Sequence, residues 1–302
     1  MKQIEHLNIL VVGDIMLDKY VLGDINRLSP EAPVAIVDVT DKHFTLGGCG
    51  NVVRNLRVIG AQVDCIASVA KDDSGKKIKD TLKNMNVTDC VVEESIQTTV
   101  KKRIIANNTK TQLLRIDQET YKKIDFIKII HNFELYKKDK YDLVIVSDYA
   151  KGMISRGLIE YLQDLKGQPK IIVDPKPING FLYNDVYMIT PNSKEWDTMK
   201  FTSEYNLKNV EYILKTEGPD GMTLISKTYN HKILAKPKDI FNVSGAGDTV
   251  VAVMGVCISI GLEPEVAAEI ANKCAGYVVT KPGTSTIPKE KFQQYFNEVT
   301  NQ

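Results

Sequence analysis

The 302 residues are enough to bury a large core, and 39 Lys plus Arg against 38 Asp plus Glu leave a formal charge of +1. A composition this balanced shows no global pull toward nucleic acid or anionic membrane, so any partner has to be recognised locally. The five cysteines (Cys49, Cys65, Cys90, Cys257, Cys274) are scattered without a C-x-x-C pair, which argues against a disulfide framework or a structural zinc and fits a reducing cytoplasm.

In chain order, the start MKQIEHLNILVVGDI lacks the build of a signal peptide and leads into a predicted buried strand at 7–13. Half-exposed strands interrupted by turn residues follow within 19–39, then a helix at 50–60, a strand at 63–69 and a helix at 73–85. A second half-exposed stretch covers 98–116, followed by a helix at 121–137, a strand at 141–148 and a helix at 155–165. Strands at 170–174, 185–190, 210–216 and 222–226 precede helices at 246–260 and 264–279. Apolar runs alternating with amphipathic segments predict an α/β fold with a mostly parallel sheet. The stretches 19–39 and 98–116 are expected to pair into a small appended β lid. No apolar run reaches the ~18 residues of a membrane span, and no repeat or flexible linker divides the chain, so 1–302 reads as a single domain.

The stretch FNVSGAGDTV (241–250) sets two glycines and a carboxylate where a loop turns into a helix. Exposed N–H groups at such a helix start suit a phosphate, and glycine lets the backbone approach it. Asp248 is poor company for a phosphate. It either caps the helix and favours its dipole or acts on a third party, a substrate hydroxyl. Asn192-x-x-Glu195 in TPNSKEWD can place an amide and a carboxylate near a metal-bound phosphate. Thr216-x-Gly218-x-x-Gly221 can lie along a nucleotide or simply connect two strands. GDIMLD puts Asp14 and Asp18 at the end of the first strand, and LGGCGN puts Gly47, Gly48 and Asn51 before a helix, residue types suited to polyol recognition. All these motifs fall at the carboxyl ends of predicted strands, where open α/β sheets bind ligands.

Taken together, GDIMLD, the Gly-Gly-x-x-Asn element, DPK, TPNxxE, TxGxxG and GAGDT, in this order over essentially the whole chain, resemble the ribokinase-like (phosphofructokinase B) family of sugar kinases. The segments GDIMLDKY, RLSPEAPVAIV, KKRIIANN, QLLRID, SDYAKG, VDPK and KPGTST are similar to its branch acting on D-glycero-β-D-manno-heptose 7-phosphate. The resemblance implies a three-layer ribokinase-like fold, ATP and Mg²⁺ as cofactors, a sugar phosphate as substrate, and a homodimer formed through the lid. The balanced charge and the lack of a long apolar run leave no nucleic-acid or membrane partner expected.

By the same resemblance Asp248 is the base that takes the proton from the anomeric hydroxyl. The amides of Gly245, Ala246 and Gly247 stabilise the transferring phosphoryl group. Asn192 and Glu195 organise Mg²⁺ with the nucleotide phosphates. Thr216, Gly218 and Gly221 form the nucleotide loop, with Asn272 on the adenine side. Asp14, Asp18, Gly47, Gly48 and Asn51 fall to the sugar. The substrate's own phosphate needs cations: Lys101 and Arg103 share one face of KKRIIA, with Lys102 on the other, and Arg115 follows on the returning strand. Arg103 and Arg115 are the first candidates, with Arg27 and Lys176 behind them.

Two elements depart from the family. Asn242 stands six residues before the base, where members usually carry an Asp that helps to hold a monovalent cation, which puts cation dependence in doubt. Cys49-Gly50 stands where the heptose branch shows two alanines. A plain sugar or nucleoside kinase is the rival expectation, and a sugar or nucleotide sensor a more distant one because the base is present. A dinucleotide dehydrogenase is disfavoured, since no G-x-G-x-x-G follows the first strand. The kinase-like pattern runs to KPGTSTIPKEKF, so the chain is expected to lack the nucleotidyltransferase activity of the bifunctional relatives.

Overall fold

The computed structural model describes residues 3–109, 111–200, 209–236 and 240–301. In chain order, β1 (Asn8–Gly13) runs into β2 (Ile15–Leu28) and β3 (Ala35–Gly48), then α1 (Cys49–Ile59), β4 (Gln62–Ile66), α2 (Asp73–Asn84) and β5 (Thr88–Asp89). Next come β6 (Val100–Ala106), β7 (Thr111–Gln118), α3 (Phe126–Glu134), β8 (Leu143–Ser147), α4 (Arg156–Gln163), β9 (Lys170–Asp174), β10 (Met188–Ile189) and α5 (Ser193–Lys200). The chain continues with β11 (Tyr212–Thr216), β12 (Met222–Ser226), β13 (Asn230–Ile233), α6 (Ala246–Ser259), α7 (Pro264–Val278) and α8 (Lys289–Thr300).

Period-two burial explains the layers. In β1, Ile9 and Val11 face one core and Leu10 and Val12 the other; in β8, Leu143 and Ile145 divide from Val144 and Val146 in the same way. The first core is covered by α1, α6, α7 and α8, the second by α3 and α4, so helices lie on both faces of one sheet. That sheet has nine strands in the order β13-β12-β11-β10-β9-β8-β1-β4-β5. It is parallel from β5 to β11 and antiparallel only at β12 and β13. Helix α6 is apolar all round because it is enclosed all round, with every residue from Asp248 to Ile258 buried.

The lid is a separate four-stranded sheet, β3-β2-β6-β7. Its long strands begin earlier and end later than the sequence expectation of 19–39. Asp18 therefore lies inside β2, and Gly47 and Gly48 close β3. Bulges at Leu22/Gly23 and Ile25/Arg27 twist the hairpin. The helix expected at 121–137 starts only at Phe126, because Asp125 caps it by accepting from the Ile127 amide and the Ile124 amide is tied to the Gly152 carbonyl. The strand expected over 185–190 is paired only at Met188 and Ile189.

Candidate active site

Helix α6 opens on Gly245, whose φ of +83° is left-handed and whose missing Cβ would stand 2.7 Å from Asn51 Nδ2, so a side chain is excluded twice. One turn on, the Asp248 carboxylate is 5% exposed. Its Oδ2 accepts from Asn51 Nδ2 at 2.8 Å and its Oδ1 from the Tyr149 hydroxyl at 3.0 Å. Asn51 is oriented in turn, since Arg54 Nη1 donates both to its Oδ1 at 3.0 Å and to the Thr284 carbonyl at 3.0 Å. Burial pushes the Asp248 pKa up and the two neutral donors pull it back. A carboxylate held only by dipoles and aimed at a helix start that favours anions is suited to take a proton from a hydroxyl placed beside a phosphate.

On the lid side, Asp18 and Tyr20 of β2 pair with Lys101 and Arg103 of β6, which pair with Asp117 and Arg115 of β7, so period two places all six on one face. Arg103 Nη1 donates to Asp18 Oδ1 at 2.6 Å, and Thr284 Oγ1 donates to Asp18 Oδ2 at 3.1 Å. Gly47 is glycine because a Cβ there would meet Asp18 Oδ2 at 2.5 Å.

Of the cations expected at the substrate's phosphate, Arg103 and Arg115 stand opposite each other on β6 and β7, while Arg27 and Lys176 lie elsewhere. Arg103 is buried against Asp18, Arg115 is half in solvent and paired with Asp117 at 3.0 Å, and Arg27 is exposed near the lid tip. Lys176 follows β9, outside the lid sheet: its ammonium pairs with Glu195, and Glu195, Asp174 and Asp148 outweigh the burial that opposes its charge. Asp14 is engaged within the protein: its Oδ2 accepts the Tyr149 and Lys151 amides and its Oδ1 the Met153 amide, so its carboxylate holds the 149–153 loop.

On the other side of the base, Asn192 and Glu195 form a reciprocal cap at the start of α5. Glu195 N donates to Asn192 Oδ1 at 2.9 Å, and Asn192 N to Glu195 Oε2 at 3.0 Å. With Lys176 on Oε1, the Glu195 carboxylate is engaged within the protein, and the geometry does not assign it as a metal ligand. Among the described residues no group of three His, Cys, Asp or Glu side chains is placed to hold a metal ion. Thr216, Gly218, Gly221, Asn272, Ala246 and Gly247 line one cavity of about 480 Å³, so the strand-end turn, the helix start and α7 meet there. Asn272 Nδ2 donates to the Leu234 carbonyl at 2.9 Å. Ile240, Val243, Val250 and Val279 complete an apolar wall. Its size and lining fit the base and ribose of a nucleotide, with the α6 start at the phosphate end.

Sequence reasoning did not single out Tyr149, Arg54, Thr284 or Asp148. Asp148 is buried and accepts from the Ala150 and Lys176 amides, Asn179 Nδ2 and the Tyr183 hydroxyl, tying the loops after β8 and β9 together. The segments SDYAKG and KPGTST carry three of these four residues, and Arg54 lies one helical turn after Asn51.

The sequence pattern described as pfkB family carbohydrate kinase matches residues 7–291. The chain is 37% identical to the bifunctional protein HldE of Desulfatibacillum aliphaticivorans, over 94% of this chain and 62% of that one. It is 34% identical to the D-beta-D-heptose 7-phosphate kinase of Bordetella bronchiseptica, over 95% of both. The chain thus spans less than two thirds of the length of the bifunctional relatives it matches. Among solved structures, phosphofructokinase-2 from Escherichia coli in complex with potassium superposes with a TM-score of 0.79 at 16% identity, over 97% of this chain and 99% of that one. Ribokinase from Thermotoga maritima does so with 0.71 at 18%, over 96% and 99%. These two likenesses establish the three-layer α/β fold with its lid, and with the sequence match over nearly all of the chain they lead to one conclusion: this chain belongs to the pfkB family of carbohydrate kinases.

Proposed function

We propose that this protein transfers the γ-phosphoryl group of ATP to the anomeric hydroxyl of D-glycero-β-D-manno-heptose 7-phosphate, giving the 1,7-bisphosphate used in lipopolysaccharide or related heptose precursor synthesis. The observation that carries this reading is the Asp248 carboxylate, buried at the start of α6 between the lid and the nucleotide-sized cavity. The substrate's identity rests on the relatives' names and on the lid segments that resemble the heptose branch.

ATP, when bound with Mg²⁺ on its phosphates, supplies the phosphoryl group and neutralises part of its charge. Asp248 receives the proton of the attacking hydroxyl as the new O–P bond forms and the bond to the departing ADP oxygen breaks. The amides at Gly245 to Gly247 and the α6 dipole face the charge that passes between them. Lys176, held by Glu195, keeps its ammonium 5.4 Å from the Tyr149 ring centroid and favours the charge on Asp248. Asp18, Gly47, Gly48 and Asn51 line the sugar side. Lys101, Arg103 and Arg115, on the inner face of the lid, meet the sugar's own phosphate.

The face of the lid turned away from the base carries Val21, Ile104, Leu114 and Ile116 beside Lys19 and Lys102, with Leu114 52% exposed, and it suits a lid-to-lid homodimer. The five cysteines are free thiols, in keeping with a reducing cytoplasm, and among the described residues no helix is long and apolar enough to cross a membrane.

A phosphorus NMR assay with ATP, Mg²⁺ and the heptose 7-phosphate tests the reading. A new anomeric phosphate signal beside the retained 7-phosphate is expected. Equal or better turnover of the unphosphorylated sugar would overturn the sugar-phosphate assignment.

A further inference from the structure

Both Asp248 oxygens accept from neutral donors, and the two donors are held in different ways. Asn51 sits on a helix and is locked by Arg54. Tyr149 stands in the loop after β8, with its backbone N–H donating to Asp14 Oδ2 at 2.8 Å, so one buried carboxylate places the phenol that serves another. The Tyr149 ring also carries two cations, Lys101 of the lid with its ammonium 5.5 Å from the ring centroid and Lys176 of the DPK turn at 5.4 Å. One side chain thus touches the lid, the DPK turn and the base.

We propose that Tyr149 is a positioning residue for the base: its hydroxyl, donating to Asp248 Oδ1, fixes the rotamer and charge state of the carboxylate that receives the substrate's proton. The proposal rests on the reading of Asp248 as the base. Each carboxylate oxygen has two acceptor sites, so Oδ1 can hold the phenol and still meet a substrate hydroxyl.

The groups around Asp248 set the direction of the effect. Asp18 of β2 and Asp174 at the end of β9 oppose its ionisation; Lys176 and Arg54 favour it; Cys49 of α1 stays a neutral thiol, because burial pushes its pKa up. Burial raises the Asp248 pKa, while Asn51 and Tyr149 lower it. Burial and the nearby Asp248 also push the phenol's own pKa up, so Tyr149 remains a donor throughout. Removing the phenolic donor leaves burial less opposed, and the proton is held to higher pH.

Tyr149→Phe keeps the ring and its two cations and removes only the hydroxyl. The expected result is a fall in kcat of about tenfold, with the KM for ATP unchanged. The acid limb of the kcat/KM profile is expected to move up by about one pH unit. Installing 3-fluorotyrosine at position 149, a stronger donor of nearly the same shape, moves that limb the other way. A ¹³C-carboxyl NMR titration of Asp248 in the resting protein reads the same shifts without any substrate. Failure of the heptose phosphate assay with a normal Tyr149-dependent carboxyl titration overturns the substrate reading alone. An acid limb and a carboxyl titration unmoved by both replacements overturn the role of Tyr149.

Discussion

Asp18 and Asp248 are both almost closed to solvent, at 4% and 5% exposure, yet they are answered in opposite ways. Asp18 faces a guanidinium at 2.6 Å and a threonine hydroxyl; Asp248 faces an amide and a phenol. A fixed opposite charge compensates a buried carboxylate and occupies it, whereas neutral donors steady the anion and leave it open to a proton. The lid carboxylate is therefore built into a permanent pair and the helix-start carboxylate left to react.

Replacement of Asp248 by Asn is the most severe test of this contrast. It should cut turnover by at least about a hundredfold while leaving calorimetric binding of an ATP analogue intact. Near-normal turnover in the folded variant would break the comparison at its reactive end.

Arg103→Ala tests the permanent end. It strands Asp18 in a buried site, and urea denaturation should show a loss of about 3 kcal/mol, most of it recovered when Asp18→Asn is added. The KM for the sugar phosphate should rise while that for ATP stays put. A loss below about 0.5 kcal/mol, the size of an exposed pair, would show that the ion pair is not fixed.

Asp14 sharpens the contrast, because it too is held by neutral donors only. Burial lifts its pKa from the ordinary 3.8 to about 6 against the pull of its three amides. A carboxyl with a raised folded pKa contributes stability that is fully present below 3.8 and is lost as pH rises through about 6. The stability advantage of the native protein over Asp14→Asn should therefore shrink by roughly 2 kcal/mol between pH 4 and pH 7. A constant difference across that range would remove Asp14 from the comparison.

The smallest effect is expected at Asn242, whose Oδ1 already accepts from the Ser244 amide at 2.8 Å. An amide dipole compensates a bound K⁺ less well than a carboxylate does, so replacing K⁺ by a bulky organic cation should change turnover only slightly. Abolished activity would show a dependence that the loop's neutral groups supply by themselves.

The central sheet was legible because its strands are buried on both faces and read as continuous apolar runs, as in Leu143–Ser147, where every residue is buried. Helices α5 and α8 were not found, since α5 buries only Glu195 and Met199 and α8 only Phe292 and Val299, too few positions to set a period. Strand β13, NHKI, is mostly polar at an edge. At the site, glycine spacing and carboxylates marked the helix start, the strand-end turn and the lid. The side chains that hold Asp248 and Asn51 could not be read from local pattern, because Tyr149 reaches across 99 positions and Arg54 meets a carbonyl 230 positions away. Arg103 and Arg115 do meet across β6 and β7, but each is also engaged by an acidic neighbour, Asp18 or Asp117, which spacing along a strand does not reveal.

The Tyr20 hydroxyl donates to Thr284 Oγ1 at 3.1 Å and accepts from the Thr284 amide at 2.9 Å, and the Thr284 hydroxyl continues to Asp18. The loop at 284 is thus the clasp for a lid strand made 264 residues earlier. On the ribosome, at about 5–20 residues per second, strand β2 has to wait over ten seconds for that clasp, with the outer face of the lid unpartnered. Chaperone occupancy of stalled nascent chains should therefore be highest before residue 284 emerges and should drop once it has.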